Sequence, residues 1–231
     1  MTGSAAVFSS WPPEGSSINT TPSVGIVLIG GGGHARSVAD VLGCERIAGY
    51  VSPQPAESMS PLAWLGDDDT FVRNAHKSAD TLPPVHITLI SGRDGKMSPR
   101  RALLSRYADF VHPSVTASDA SVSPTAHIAE GCAVMHRAYI GPGATISKFS
   151  VINTGAIIEH DVCIGVNTFV GPGAVICGGV SIGDDCYIGA GAKIRNGVTI
   201  ADGTVIGMGA VVTSDITLGG TYVGCPAKKL Q

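Results

Sequence analysis

The chain predicts a mixed fold: a small N-terminal α/β domain, Rossmann-like in its opening unit, followed by a three-sided parallel β-helix. Three observations carry this. Every sixth residue from Val122 to Val212 is isoleucine or valine, at all sixteen positions. Four residues after each stands a small or slim side chain, such as Ala126, Cys132, Ala138, Ala144 and Ser150. Ahead of that run, an apolar segment, a glycine cluster and a helical pattern follow one another between Val24 and Leu42.

Residues 1–23 contain Trp-Pro-Pro and serine-rich stretches, with no cationic start before an apolar block, and read as a flexible tail rather than a secretion signal. Val24 to Ile29 reads as a buried strand, Gly30 to Gly33 as a turn and Ala35 to Leu42 as a helix. Strand, glycine turn and helix open a nucleotide-binding α/β unit, because bare amides at a helix start suit a phosphate. The spacing Gly30-x-Gly32-x-x-Ala35 fits the dinucleotide fingerprint loosely. A second strand covers Ile47 to Val51, and Leu65-Gly-Asp-Asp-Asp69 is a turn and helix start. A third strand runs from Val85 to Ile90, and Pro99 to Tyr107 is helical. Residues 24–108 are too few for a two-halved dinucleotide fold and suit a three- or four-stranded parallel sheet that holds one ligand.

Residues 109–231 follow the period of six. Neither 3.6 nor 2 generates a strict six, so this is a stacked repeat rather than an amphipathic helix or a hairpin sheet. Segments such as Ile140-Gly-Pro-Gly-Ala and Ile188-Gly-Ala-Gly-Ala supply the corners. Three hexads make one coil, so Ile128, Ile146, Ile164, Ile182 and Ile200 stack in one interior column at strand spacing, about 4.8 Å. A charge in such a column is expected to unfold the protein. Handedness does not follow from spacing.

With 231 residues and a net charge of −3, the chain has no basic run, which argues against nucleic acid as a partner. The longest apolar stretch, Val24 to Ile29, is too short to span a membrane. The six cysteines include no CxxC pair, and Cys132 and Cys186 occupy small-residue positions of the repeat. They read as reduced packing residues of a cytoplasmic protein.

A solenoid of aliphatic coils offers few places for chemistry, so the polar interruption Ile158-Glu-His160-Asp161 stands out. His160 lies two residues after a stacked isoleucine, outside the interior columns, with carboxylates on both sides. An imidazole moves protons near pH 7, and a carboxylate fixes its tautomer. One positioned base suffices for acyl transfer to an amine or a hydroxyl; a surface histidine at a coil corner is the plain alternative. His34 and His112 suit either substrate binding or turn capping, whereas His76, His86, His127 and His136 read as structural. His136 and His160 are twenty-four residues apart, on different faces of the coil, with no third ligand well placed, so no metal is expected.

These residues resemble the nucleotide-sugar and sialic-acid acetyltransferases of the left-handed β-helix (hexapeptide repeat) superfamily, from Val24 onward. The resemblance rests on Leu28-Ile-Gly-Gly-Gly-Gly-His34, Leu65-Gly-Asp-Asp-Asp69, His112-Pro113, Asn153-Thr-Gly-Ala-Ile-Ile-Glu-His160-Asp161, Pro172-Gly-Ala174, Gly178-Gly-Val180 and Val223-Gly-Cys-Pro-Ala-Lys228. It implies a left-handed helix and a cytoplasmic homotrimer with active sites between subunits, acetyl-CoA as acyl donor, and a nucleotide-linked amino sugar as acceptor. His160 is then the general base and Asp161 its orienting acid. Gly31, Gly32, Gly33 and His34 lie against the nucleotide or sugar. Phe169, Gly178 and Ala190 line the coenzyme, and Lys228 and Lys229 either meet its phosphates or form a solvated tail. Where relatives often carry a second histidine, nine residues after the first, this chain has Phe169. Where uridine-binding relatives often carry an aspartate, it reads Tyr50-Val-Ser52-Pro53, which leaves the base open. N-acetylation is the first reading. O-acetylation of a sialic-acid-like sugar and a non-catalytic trimeric binding module are the alternatives.

Overall fold

The computed structural model describes residues 25–78, 81–91 and 94–230. The expected N-terminal tail, and Val24 with it, lies outside the described residues. The first part runs β1 (Ile26–Ile29), α1 (Gly33–Leu42), β2 (Ile47–Val51), α2 (Asp68–Ser78), β3 (Val85–Ile87) and α3 (Ser98–Arg106). The three strands form one parallel sheet in the order β2-β1-β3, with Leu28 level with Tyr50 and His86. Helix α1 buries Ala35, Val38 and Leu42, a spacing that keeps one face on the sheet.

β3 ends three residues before the expected Ile90. The reason is Arg100, whose guanidinium takes the carbonyls of Ile87 and Leu89 at 2.7 Å each and draws the chain off the sheet. The same guanidinium donates to the Phe149 carbonyl at 2.9 Å, which ties α3 to the coils.

From Val115–Thr116 to Val211–Val212 the chain forms seventeen two-residue strands, arranged as a left-handed parallel β-helix with three sheets as its sides. The register is one coil throughout: Ile164 pairs with Ile146 below and Ile182 above. From Val134 onward the stacked aliphatic residues that the described core contains are almost wholly buried, and the small residues between them fill the corners. A closing antiparallel pair, Thr221–Val223 with Lys228–Lys229, ends the coils.

The corners have a single backbone rule. Every sixth residue from 131 to 209, always three after a stacked aliphatic, has positive φ. Most are glycine, but Arg137, Phe149, Asp161, Asn167 and Asp185 hold the same left-handed conformation. Asparagine and aspartate tolerate that region better than most side chains.

The residue before each stacked aliphatic points outward, and these residues give the three sides different characters. One side carries Ala133, Val151, Phe169 and Tyr187, which pack with Leu28, Ala35, Val38 and Met97 beneath the α/β part. The next side in chain order carries Ser121, Tyr139, Ile157, Val175, Lys193 and Val211, an apolar stripe from Tyr139 to Val175 that Lys193 interrupts, with Ile157 36% exposed. The third carries His127, Thr145, Cys163, Ser181 and Thr199, small or polar.

Candidate active site

His160 and Asp161 stand at the corner between the apolar and polar sides, the edge opposite the side that the α/β part covers. The positive φ of Asp161, +57°, turns its side chain back toward its neighbour. Its Oδ2 then lies 2.9 Å from His160 Nδ1. With Nδ1 donating to the carboxylate, Nε2 carries the free lone pair, the arrangement that a general base needs.

Two glycines make room for the pair. Gly178 lies one coil above His160, and a Cβ added there would run into the imidazole ring at Nε2. Gly143 lies one coil below Asp161, and a Cβ there would come within 2.6 Å of its Oδ1. Nε2 therefore faces a bare stretch of backbone. Among the described residues no protein acceptor takes the Gly178 amide, nor that of Ala190, which has the same place in its own corner. Such unspent amides can hold a carbonyl oxygen or stabilise an oxyanion. In the single chain the His160 side chain is 63% exposed, so nothing among the described residues excludes water from it.

A second site lies in the α/β part. Gly30 to His34 and the C-terminal ends of the parallel strands line a cleft of about 690 Å³ with Ser52, Pro53, Asp68, Thr88 and Leu103. In open parallel sheets, ligands bind beyond these strand ends. Gly32 is the N-cap of α1 without a side-chain cap, and its first turn holds no acid. Added Cβ atoms at Gly32 and Gly33 would meet nothing within 4 Å among the described residues, so the turn lies open to a ligand. Gly31 is tighter, with Ser52 and Tyr50 at 3.2 Å. His34 faces this cleft while its Nε2 is buried without a partner among the described residues. Burial first, then the nearby Arg100 charge, hold its pKa down to about 3, so it stays a neutral imidazole.

The predicted site residues thus fall into separate groups. His160, Asp161 and Gly178 come together, as do Gly31, Gly32, Gly33 and His34. Ala190 sits on another corner, at the opposite edge of the apolar side from Gly178. Phe169 lies apart from both groups: it is 5% exposed and stacked on Tyr187, with centroids 4.9 Å apart, in the seam beneath the α/β part. Lys228 and Lys229 are exposed, with Lys229 Nζ donating to the Gly219 carbonyl. His112 is buried, its Nε2 on the Tyr107 carbonyl at 2.9 Å, which makes it a junction residue. Gly143 was missed, although its offset of eighteen residues from Asp161 marks it. Asp68 in the cleft carried no signal of its own inside an acidic triplet. Among the described residues no three metal-ligating side chains converge, and no helix is long and apolar enough to cross a membrane.

The family model described as bacterial transferase hexapeptide (six repeats) matches residues 164–196 and 179–214. Comparison with curated proteins gives no match. Among solved structures, PerB from Caulobacter crescentus in complex with CoA and GDP-perosamine is 32% identical, with a TM-score of 0.77 over 88% of this chain and 96% of that one. A histidine-to-asparagine variant of perosamine N-acetyltransferase from the same organism, with the same two ligands, is 31% identical, with a TM-score of 0.78 over 88% and 95%. The acetyltransferase domain of PglB from Neisseria gonorrhoeae in complex with acetyl coenzyme A is 27% identical, with a TM-score of 0.79 over 90% and 99%.

Proposed function

This chain belongs to the left-handed β-helix, hexapeptide-repeat sugar acetyltransferases and is an acyltransferase; from that premise we propose that it acetylates the amine of a nucleotide-linked amino sugar from acetyl-CoA, with His160 as general base. The observation that carries the role of His160 is its geometry: Nδ1 held by Asp161, Nε2 turned to the unfilled space at Gly178.

The amine nitrogen attacks the thioester carbonyl and forms the C–N bond while His160 Nε2 takes its proton. Asp161 steadies the imidazolium that results. The Gly178 amide faces the oxygen of the tetrahedral intermediate. As the C–S bond breaks, His160 returns the proton to the departing CoA sulfur, so the base is regenerated.

The amino-sugar nucleotide belongs in the α/β cleft, its diphosphate on the bare amides of Gly32 and Gly33. The α/β part covers the side opposite His160, so cleft and base must meet between two copies. An uncovered apolar stripe through Tyr139, Ile157 and Val175 runs beside His160. Packed on its counterparts in a closed three-fold ring, it completes a homotrimer with Ala190 of one copy beside Gly178 of the next. Residues 24–108 then hold the acceptor, and residues 109–231 hold the donor and the base. Six free cysteines and the donor suit the cytoplasm.

The test is thiol release from acetyl-CoA against a panel of amino-sugar nucleotides. His160→Ala is expected to lower turnover by about 10²–10⁴ while leaving the assembly, measured by light scattering, intact. Undiminished turnover in that variant removes His160 from the mechanism.

A further inference from the structure

The triplet Asp67-Asp68-Asp69 divides its labour. Asp67 caps α2, its Oδ1 accepting the Thr70 amide at 2.7 Å. Asp69 pairs with Arg106. Asp68 alone lines the cleft, and its Oδ1 accepts the Tyr107 hydroxyl at 2.7 Å. Tyr107 is fully buried against Phe71 and Phe110, so it sets that carboxylate in one orientation. Asp68 makes no ion pair among the described residues.

The cleft therefore has two poles. Bare amides at Gly32 and Gly33 attract a diphosphate, and the Asp68 carboxylate repels one. Pro53, Leu89, Ile90 and Leu103 give the walls an apolar character suited to a flat ring. Asp68 and the glycine turn line one cleft, so a nucleotide with its diphosphate on the turn meets Asp68 with its base or its ribose.

A carboxylate only accepts hydrogen bonds. Guanine offers N1–H beside its N2 amino group, two donors for two oxygens. Uracil and thymine offer one N–H between two carbonyls, and those carbonyls would face carboxylate lone pairs. Adenine and cytosine offer a donor beside an acceptor. We infer that Asp68, set by Tyr107, reads the nucleobase, and that the acceptor is carried on guanosine diphosphate. This rests on the nucleotide-sugar reading given above.

The test uses the full chain with acetyl-CoA and one amino sugar carried in turn on GDP, UDP and dTDP. Wild type is expected to favour the GDP sugar in kcat/KM by about 10²-fold or more, since a polar site left unpaired rejects the wrong partner strongly. Asp68→Asn, which sets a donor beside an acceptor, is expected to collapse that ratio at least about tenfold through KM, and Tyr107→Phe to collapse it partway. A preference for UDP or dTDP overturns the inference. So does an equal loss on all three carriers, which assigns Asp68 to ribose hydroxyls. If no carrier is acetylated, the catalytic reading fails instead, and thermal shifts decide this point: GDP alone must stabilise wild type, and Asp68→Asn must lose that selectivity.

Discussion

The β-helix and the α/β part bury their atoms under opposite rules. Inside the coils the buried set is mostly aliphatic, and the polar residues there are few: Ser150 on the Gly165 carbonyl, Thr168 on that of Gly183, Thr204 on that of Ala201, and Asn167 at a corner donating to Asp185. At the junction of the α/β part, by contrast, a whole arginine and two imidazoles are buried. Arg100 is fully buried on three carbonyls, and desolvation lowers its pKa to about 10. His86 is buried beside it, its Nδ1 3.1 Å from the Pro113 carbonyl. A repeat tolerates few exceptions because each side chain meets its own kind above and below. The end of a parallel sheet can build one polar pocket, here around a guanidinium whose terminal nitrogens reach three carbonyls while its Nε finds no partner among the described residues. The two proposed sites lie where each rule stops, at a coil corner and at a helix start.

The largest effect that tests this contrast is Ile164→Asp. Ile164 is buried between Ile146 and Ile182, and an unpaired carboxylate there is expected to destabilise by more than about 4 kcal/mol. Insoluble protein, or loss of the cooperative melt in circular dichroism, is the expected outcome. A normal melting temperature breaks the comparison.

Acid reaches the α/β part first. Burial, and next the Arg100 charge, push His86 down to about 4 and His34 to about 3 from an ordinary 6.5. Unfolded imidazoles bind a proton below pH 6.5 while the folded ones do not. Stability is therefore complete above that value and declines as pH falls toward 4, by about 3 kcal/mol for His86 alone. A urea midpoint followed by tryptophan fluorescence is expected to fall between pH 7 and 4.5, and a flat midpoint removes the buried neutral imidazoles from the account.

Gly178→Ala acts on chemistry more than on fold. Its Cβ meets the end of the exposed His160 ring, which swings away. Turnover is expected to drop about 10–10²-fold, from loss of base geometry, with the melting temperature nearly unchanged. An unaltered turnover places the acceptor elsewhere.

Gly32→Ala has the smallest effect. The added methyl meets nothing among the described residues, and alanine at this cap weakens α1 by less than about 1 kcal/mol. A diphosphate seated on the turn meets that methyl instead, so KM for the nucleotide sugar rises while the melt holds. Equal KM values move the diphosphate off the turn.

Much of this was legible in the chain. The Ile128 to Ile200 column follows from a period that no other fold produces, and Gly30 to Leu42 follows from local turn chemistry. His160 stood out because a charged triplet interrupts a smooth repeat. The length of β3 was not legible, because Arg100 claims its carbonyls from thirteen and eleven residues away. The place of Phe169 in the seam was not legible, because its spacing from His160 says nothing about which side of the prism the α/β part covers. Asp68 was hidden between two identical neighbours that do other work.

What the sequence determined alone is whatever repeats or is local: the eighteen-residue register, the corner positions, the turn before α1. A branched side chain every six residues leaves only one way to keep water out, so composition and order suffice. Which side of the prism is covered, which aspartate faces the cleft, and how His160 Nε2 comes to lie against a bare backbone were decided by the tertiary structure. Those depend on contacts between residues far apart in the chain, where many pairings satisfy the same hydrophobic pattern and only close packing selects among them.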